Sequence, residues 1–264
     1  MKKRSYLLSV LCFILMSAKF AWSAPIGLNL ADKLVTVARK YSTRVCLQLV
    51  RPPSSAEFRD SVQHLIPSMP VEKVKEWALE NAENREKYNL SDDEVTSLFV
   101  FSTDGFMDVN HALREGKMSE EVAIFTHVLT RAMKQLPTYK GFVHRGVKLP
   151  SQELLRHQVG ENVVYDGFTS TSQFRGFVDC PEQLRIYTHS GRIIRDFSAH
   201  KDEEEVVIPP GACFDVIARE DIGWVEYLIS GQRTQLELKE IGKDPFSDDA
   251  PKSEDRNRVV EERD

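Results

Sequence analysis

Residues 136–147 read LPTYKGFVHRGV, and the texture of the chain changes there. Upstream, apolar residues recur at helical spacing. In SEEVAIFTHVLTRAMKQLP (residues 119–137), Val122, Phe125, Val128, Leu129, Met133 and Leu136 share one helical face, and Pro137 ends the pattern. The same reading gives helices over ADKLVTVARKYS (31–42) and VEKVKEWALENAENREKY (71–88), with SDDE at 91–94 as a cap and first turn. Downstream, short β-branched and aromatic runs are separated by Gly, Pro, Ser and Asp, at residues 141–147, 162–171, 191–198, 204–208, 212–218, 224–230 and 234–241. Helices followed by a series of strands predict an α+β fold, not alternating βαβ units.

With 264 residues, 41% hydrophobic and 28% charged, the chain has enough length and apolar content for a substantial core. Its first 23 residues, MKKRSYLLSVLCFILMSAKFAWS, combine a basic start, an apolar stretch and small residues before Ala24. That is the pattern of a secretory signal, and it predicts a secreted product. The apolar stretch is shorter than the roughly 20 residues of a membrane span, so no stable membrane insertion is expected. Removing it takes away Lys2, Lys3, Arg4 and Lys19, so 35 basic residues against 40 acidic become 31 against 40, and the formal charge moves from −5 to −9. An acidic product is a poor nucleic-acid binder. Cys46, Cys180 and Cys213 remain, an odd number without metal-site spacing, so bridges do not define the fold. The polar, charged residues 243–264 predict a disordered tail.

Three polar features interrupt the strand-like half. Alternation puts Val143, Arg145 and Val147 on one face, so a guanidinium shares the side that two valines would bury. It needs an anionic or carbonyl partner, either in a structural ion pair or in a ligand site. The second feature is FTSTS, Phe168 to Ser172, whose hydroxyls suit a ligand, a catalytic carboxylate or a simple turn. The third is HKDEEEVVIPPG, residues 200–211, where acids run straight into an apolar strand. If residues 203–207 are extended, Glu203 and Glu205 share a face about 7 Å apart, from a rise of roughly 3.3 Å per residue. Paired carboxylates at such separations serve glycosyl transfer, while a charged solvated edge is the structural alternative.

In chain order, an arginine on a strand, Ser-Thr-Ser and Glu-x-Glu leading into a strand resemble the bacterial mono-ADP-ribosyltransferase toxins of the Arg, Ser-Thr-Ser, Glu-x-Glu class. The resemblance extends to STDGFMDVNHALREG (102–116), LPTYKGFVHRGV (136–147) and SGRIIRDFSAHKDEEEVVIPPGACFDV (190–216), and covers about residues 95–241. It implies a mixed or antiparallel two-sheet core beside an N-terminal helical lobe. The implied divisions are a signal at 1–23, a lobe at 24–95, a catalytic core at 96–242 and a tail at 243–264.

By the same resemblance, Arg145 contacts a phosphate or ribose of NAD and the Gly146 backbone holds the nicotinamide amide. Ser170 orients the catalytic Glu205, with Thr171 and Ser172 beside it in the NAD site, and Glu203 faces the acceptor. Phe174 stands beside the nicotinamide, and Phe197 lies in the loop that meets a protein substrate. His144 occupies a position where the family commonly has an aromatic, and the third glutamate, Glu204, leaves the register dependent on Val206 as anchor. Glutamate at 203 resembles the arginine-modifying subclass. The implied activity is transfer of ADP-ribose from NAD to an arginine of a host protein by a monomeric, metal-free secreted enzyme, with NAD hydrolysis on the side. NAD glycohydrolysis without a protein acceptor, and a non-catalytic binding module, are the alternatives.

Overall fold

A computed structural model describes residues 51–174, 180–223, 227, 228 and 230–247, all within one compact unit, Lys40–Asp264. The expected signal at 1–23, the helix read over 31–42 and Cys46 lie outside the described residues. Six α-helices are described: α1 (Ser55–Leu65), α2 (Val71–Asn81), α3 (Asp92–Val100), α4 (Phe106–Glu115), α5 (Glu120–Gln135) and α6 (Ser151–Arg156). The strands are β1 (Thr138–Val147), β2 (Asn162–Tyr165), β3 (Thr169–Ser172), β4 (Glu182–Ile193), β5 (Glu205–Ile208), β6 (Ala212–Asp221) and β7 (Thr234–Ile241). The architecture is α+β, as the change of texture at residue 136 predicts.

Local chemistry explains where the helices start. Ser54 with Glu57 and Ser91 with Glu94 form reciprocal capping boxes on α1 and α3, and Ser119 caps α5. Each cap contributes about 1 kcal/mol by satisfying amides that the first helical turn leaves unpaired. Helix α3 runs across the expected lobe boundary at 95/96, and its residues Val95, Leu98 and Val100 belong to one apolar core that takes in residues from Phe58 to Leu136 together with Phe168, Ile194, Phe197, Val207 and Phe246. The helical layer therefore reaches the start of β1.

Strand β4 organises the sheet. It pairs antiparallel with β1 from Val147↔Glu182 to Thr138↔Arg192, and parallel with β7 over residues 182–187. Its far end meets β5 at Arg192↔Val207 and Ile193↔Val206. The order is β1-β3-β5-β4-β7-β6-β2, with the additional β1–β4 pairing. These joins make the expected two sheets one continuous hydrogen-bonded sheet. A second core, including Val143, Ile186, Phe214 and Leu238, packs against Val206 and Ile208, whereas Val207 belongs to the helical core. All four residues of β5 are buried, and alternation sends successive side chains into different cores.

Several sequence boundaries shift. The run 162–171 divides into β2 and β3, which pair with different strands, β6 and β5. Gly167 sits at the break, where a Cβ would stand 2.7 Å from Asn110 Oδ1. The run 191–198 ends as strand at Ile193 and continues as a 3-10 turn, Arg195–Phe197. Of the strand expected at 224–230, the described residues Tyr227, Leu228 and Ser230 are helical, because Tyr227 and Gly231 bond to carbonyls four residues back. Residues 182–190 form most of β4, although polar Glu182, Thr188 and Ser190 occupy buried positions and disguise the strand.

The tail also begins later than expected. Asp244 pairs with the buried Arg192 at 2.7 Å, and Arg192 lies 5.5 Å from the Phe246 ring. Phe246 is buried in the helical core. Replacing Phe246 with alanine should cost about 3 kcal/mol, the range for a buried aromatic. That lowers Tm by roughly 6–12 °C in a domain of this size. An unchanged thermal unfolding curve would return residues 243–247 to the disordered tail.

Candidate active site

The candidate residues converge where β3 and β5 lie side by side, in the register Ser170↔Val207 and Ser172↔Glu205. Glu205 is 4% exposed, and both of its oxygens have partners. Ser170 Oγ donates to Oε1, and Ser198 Oγ donates to Oε2 at 3.4 Å. Burial pushes the Glu205 carboxyl above its ordinary value, the neighbouring Glu203 adds to the rise, and the two serine bonds oppose it. The result is a buried carboxylate with two oriented hydroxyls.

Arg145 has a carbonyl partner, with Nη1 donating to Ser170 O at 2.7 Å. Ser170 thus links the guanidinium, through its carbonyl, to the carboxylate, through its hydroxyl. Burial pushes Arg145 below the ordinary guanidinium value; Tyr165 acts against that shift and Arg114 adds to it. A guanidinium remains a cation under such perturbation. Gly146 follows in the strand, opposite Gln183.

The remaining two serine-motif residues are fixed by hydrogen bonds. Ser172 Oγ donates to Glu203 O at 2.6 Å and accepts from the Phe174 amide at 3.1 Å. Thr171 Oγ1 donates to Val206 O at 2.6 Å and is 3% exposed. Its hydroxyl ties β3 to β5, because strand alternation turns it away from Ser170 and Ser172.

The glutamate segment is not extended throughout. Residues Lys201–Glu203 form a 3-10 turn, Glu204 is left-handed with φ 47°, and the strand starts at Glu205. Glu203 nevertheless lies close enough to act on Glu205 electrostatically.

The model for NAD:arginine ADP-ribosyltransferases matches residues 51–235. The chain belongs to this ADP-ribosyltransferase family. It is 34% identical over 156 residues to the NAD(+)-protein-arginine ADP-ribosyltransferase Tre1 of Serratia proteamaculans, covering 56% of this chain and 35% of that protein. It is 32% identical over 136 residues to the putative NAD(+)-arginine ADP-ribosyltransferase Mav of Mycobacterium avium, covering 49% of this chain and 16% of that one. The match thus spans about a third or less of these two relatives. Among solved structures, the type III effector XopAI from Xanthomonas axonopodis pv. citri superposes with a TM-score of 0.59 at 19% identity, over 80% of this chain and 99% of that one. The ADP-ribosyltransferase HopU1 of Pseudomonas syringae superposes at 0.56 with 15% identity, over 72% of this chain and all of that one. At these identities the likeness is one of fold.

Within this ADP-ribosyltransferase family member, the two aromatic candidates part company. Phe174 is 66% exposed just after β3, free to meet a ligand. Phe197 is 1% exposed, packed edge-on against Tyr88 in the helical core, where it anchors the loop that leads to Glu203. Sequence reasoning overlooked Ser198, which closes the run RDFS, and Arg114, which lies within the segment 102–116. Cys180 and Cys213 are not in a disulfide.

The raised Glu205 carboxyl has a consequence for stability. A folded-state value above the unfolded one leaves no cost below the ordinary carboxylate value of 4.5, and a full cost above the folded value. Glu205→Gln should therefore unfold at a higher temperature than the native chain at pH 7, with the gap closing as pH falls through the carboxylate range. A gap independent of pH would show that ionisation of Glu205 carries no burial penalty.

Proposed function

We propose that this chain transfers ADP-ribose from NAD to an arginine side chain of a protein. The observation that carries the proposal is the buried Glu205 carboxylate, held by Ser170 while the carbonyl of the same serine holds Arg145. Family membership over residues 51–235 supports NAD as the substrate.

The chemistry suits this arrangement. Breaking the bond between ribose and the cationic nicotinamide sends the electron pair to the nicotinamide, which leaves neutral, and builds positive charge on the sugar. No general acid is needed, only a fixed anion and positioning. Glu205 is the anion, placed to bond a ribose hydroxyl and face the developing cation. Arg145 and Arg114, near enough to influence one another, suit the diphosphate. In this reading the Gly146 backbone, Ser170, Ser172 and Phe174 line the nicotinamide side. A guanidinium nitrogen then attacks the sugar carbon and gives up a proton to the Glu203 carboxylate as the new bond forms. Glu203 binds and aims that guanidinium, which is protonated before attack.

The signal-like N-terminal stretch supports a secreted enzyme; in this proposal a host protein is the acceptor and water a secondary one. The helical segment and the sheet together constitute the catalytic domain in this proposal.

The purified chain, labelled NAD, a mixed protein extract and agmatine test the proposal. Label should appear on protein and be released by hydroxylamine, and Glu205→Ala should lose roughly 10²–10³-fold in rate. Nicotinamide release without transferred label would replace the transferase reading with glycohydrolysis. Glu203→Gln should lose most transfer while keeping much NAD hydrolysis; equal loss of both would reject the division between the glutamates. The acid limb of kcat/KM should lie above 4.5, because Glu205 acts ionised and its carboxyl is raised.

A further inference from the structure

Glu204 stands out in the backbone. Among the described residues, the non-glycine positions with positive φ are Asn84, Asn89 and Glu204. Asparagine tolerates the left-handed region, whereas a glutamate there is disfavoured by roughly tenfold or more. Yet the conformation is useful. It lets the chain leave the 3-10 turn Lys201–Glu203 and enter β5 at once, with Glu203 and Glu205 close and Glu204 directed elsewhere.

The destination of Glu204 is Arg195. Arg195 Nη1 donates to both Glu204 oxygens at 3.2 Å, while its Nε and Nη2 donate to Asp196 Oδ1 at 3.3 Å. The guanidinium is thus held between Glu204 and Asp196. Two backbone bonds accompany the turn, Gln173 N to Glu204 O and Glu204 N to Lys201 O, both at 3.3 Å. These bonds are neutral and of similar length, whereas the side-chain pair is charge-assisted and reaches both Glu204 oxygens.

We propose that Arg195 is a positioning residue for acceptor transfer: by pairing with Glu204 it holds the left-handed turn and removes one of three adjacent carboxylates from competition for the incoming guanidinium. This inference rests on the proposed transferase activity. Exposed ion pairs contribute little to global stability, but this one need only bias a local choice between two backbone conformations. With the pair absent, Glu204 can relax toward extended backbone, shift Glu203 and offer a guanidinium the wrong partner. Glu205 keeps its anchors on Ser170 and Ser198, so transfer suffers more than NAD cleavage.

Glycine separates conformation from charge, since it adopts the left-handed region without a partner. Four proteins are compared: the native chain, Arg195→Ala, Glu204→Gly and the double variant. The readout is the ratio of agmatine modification to NAD hydrolysis. Arg195→Ala should lower the ratio about tenfold. Glu204→Gly should stay within about twofold of the native chain, and adding Arg195→Ala to it should change nothing further. A native ratio in Arg195→Ala, or a double variant as impaired as Arg195→Ala, overturns the inference.

Hydrogen exchange at the Gln173 amide reads the same turn without activity. It should quicken in Arg195→Ala and return to the Glu204→Gly rate in the double variant; no change in Arg195→Ala overturns the inference. If the native chain consumes no NAD but shows this exchange pattern, the transferase reading fails while the coupling between Arg195 and the turn stands.

Discussion

The structure depends on an ionisable carboxylate placed at the first residue of a strand that is buried on both sides. β5 contributes Val207 to the helical core and Val206 and Ile208 to the sheet core, so its position is set by packing in two directions. Burial of each such side chain contributes roughly 1.5–3 kcal/mol. Glu205 is carried into the interior with them and meets hydroxyls where water would otherwise solvate it. Neither sheet nor helices alone could hold it there.

That constraint explains the division of labour along β3. Ser170 and Ser172 face the glutamate segment, one holding the Glu205 carboxylate and the other the Glu203 carbonyl, while Thr171 secures the neighbouring strand. A single alternating tripeptide therefore positions two acidic residues and closes the sheet. Arg145 depends on the same strand, since its partner is the Ser170 carbonyl. Displacing β3 would move the anion and the cation together.

The helical layer reaches the other side of the site. Asn81 Nδ2 donates to Ser198 O at 2.6 Å, the Ala199 amide donates to Ser102 Oγ at 2.8 Å, and Lys201 pairs with Glu83 at 2.6 Å. Together with the amide of Glu83 on Asp196 O, these contacts hold the turn that carries Glu203. The helices thus act as more than a cover for the sheet. They fix the loop beside the carboxylate, and Phe197 anchors that loop from within the core. Burial disfavours the charged form of Glu205 where it stands, and the proposed reaction would use that poorly solvated anion against the developing sugar cation.

By itself the sequence determined the passage from helices to strands at residue 136 and the helix cap at Ser91, and it singled out Arg145, Ser170 and Glu205 as polar residues in or beside apolar strands. Those signals are local: periodicity, capping pairs and polar residues in apolar runs can be read within a few positions. It could not show that residues 182–190 are a strand, because Glu182, Thr188 and Ser190 are buried only through partners distant in sequence, such as Glu240 and Arg233. Nor could it separate the serines from Thr171, assign Phe197 to the core, or reveal Ser198 and the left-handed Glu204. Each of those depends on which strand or helix lies opposite, and that is decided only when two cores close on the same four-residue strand.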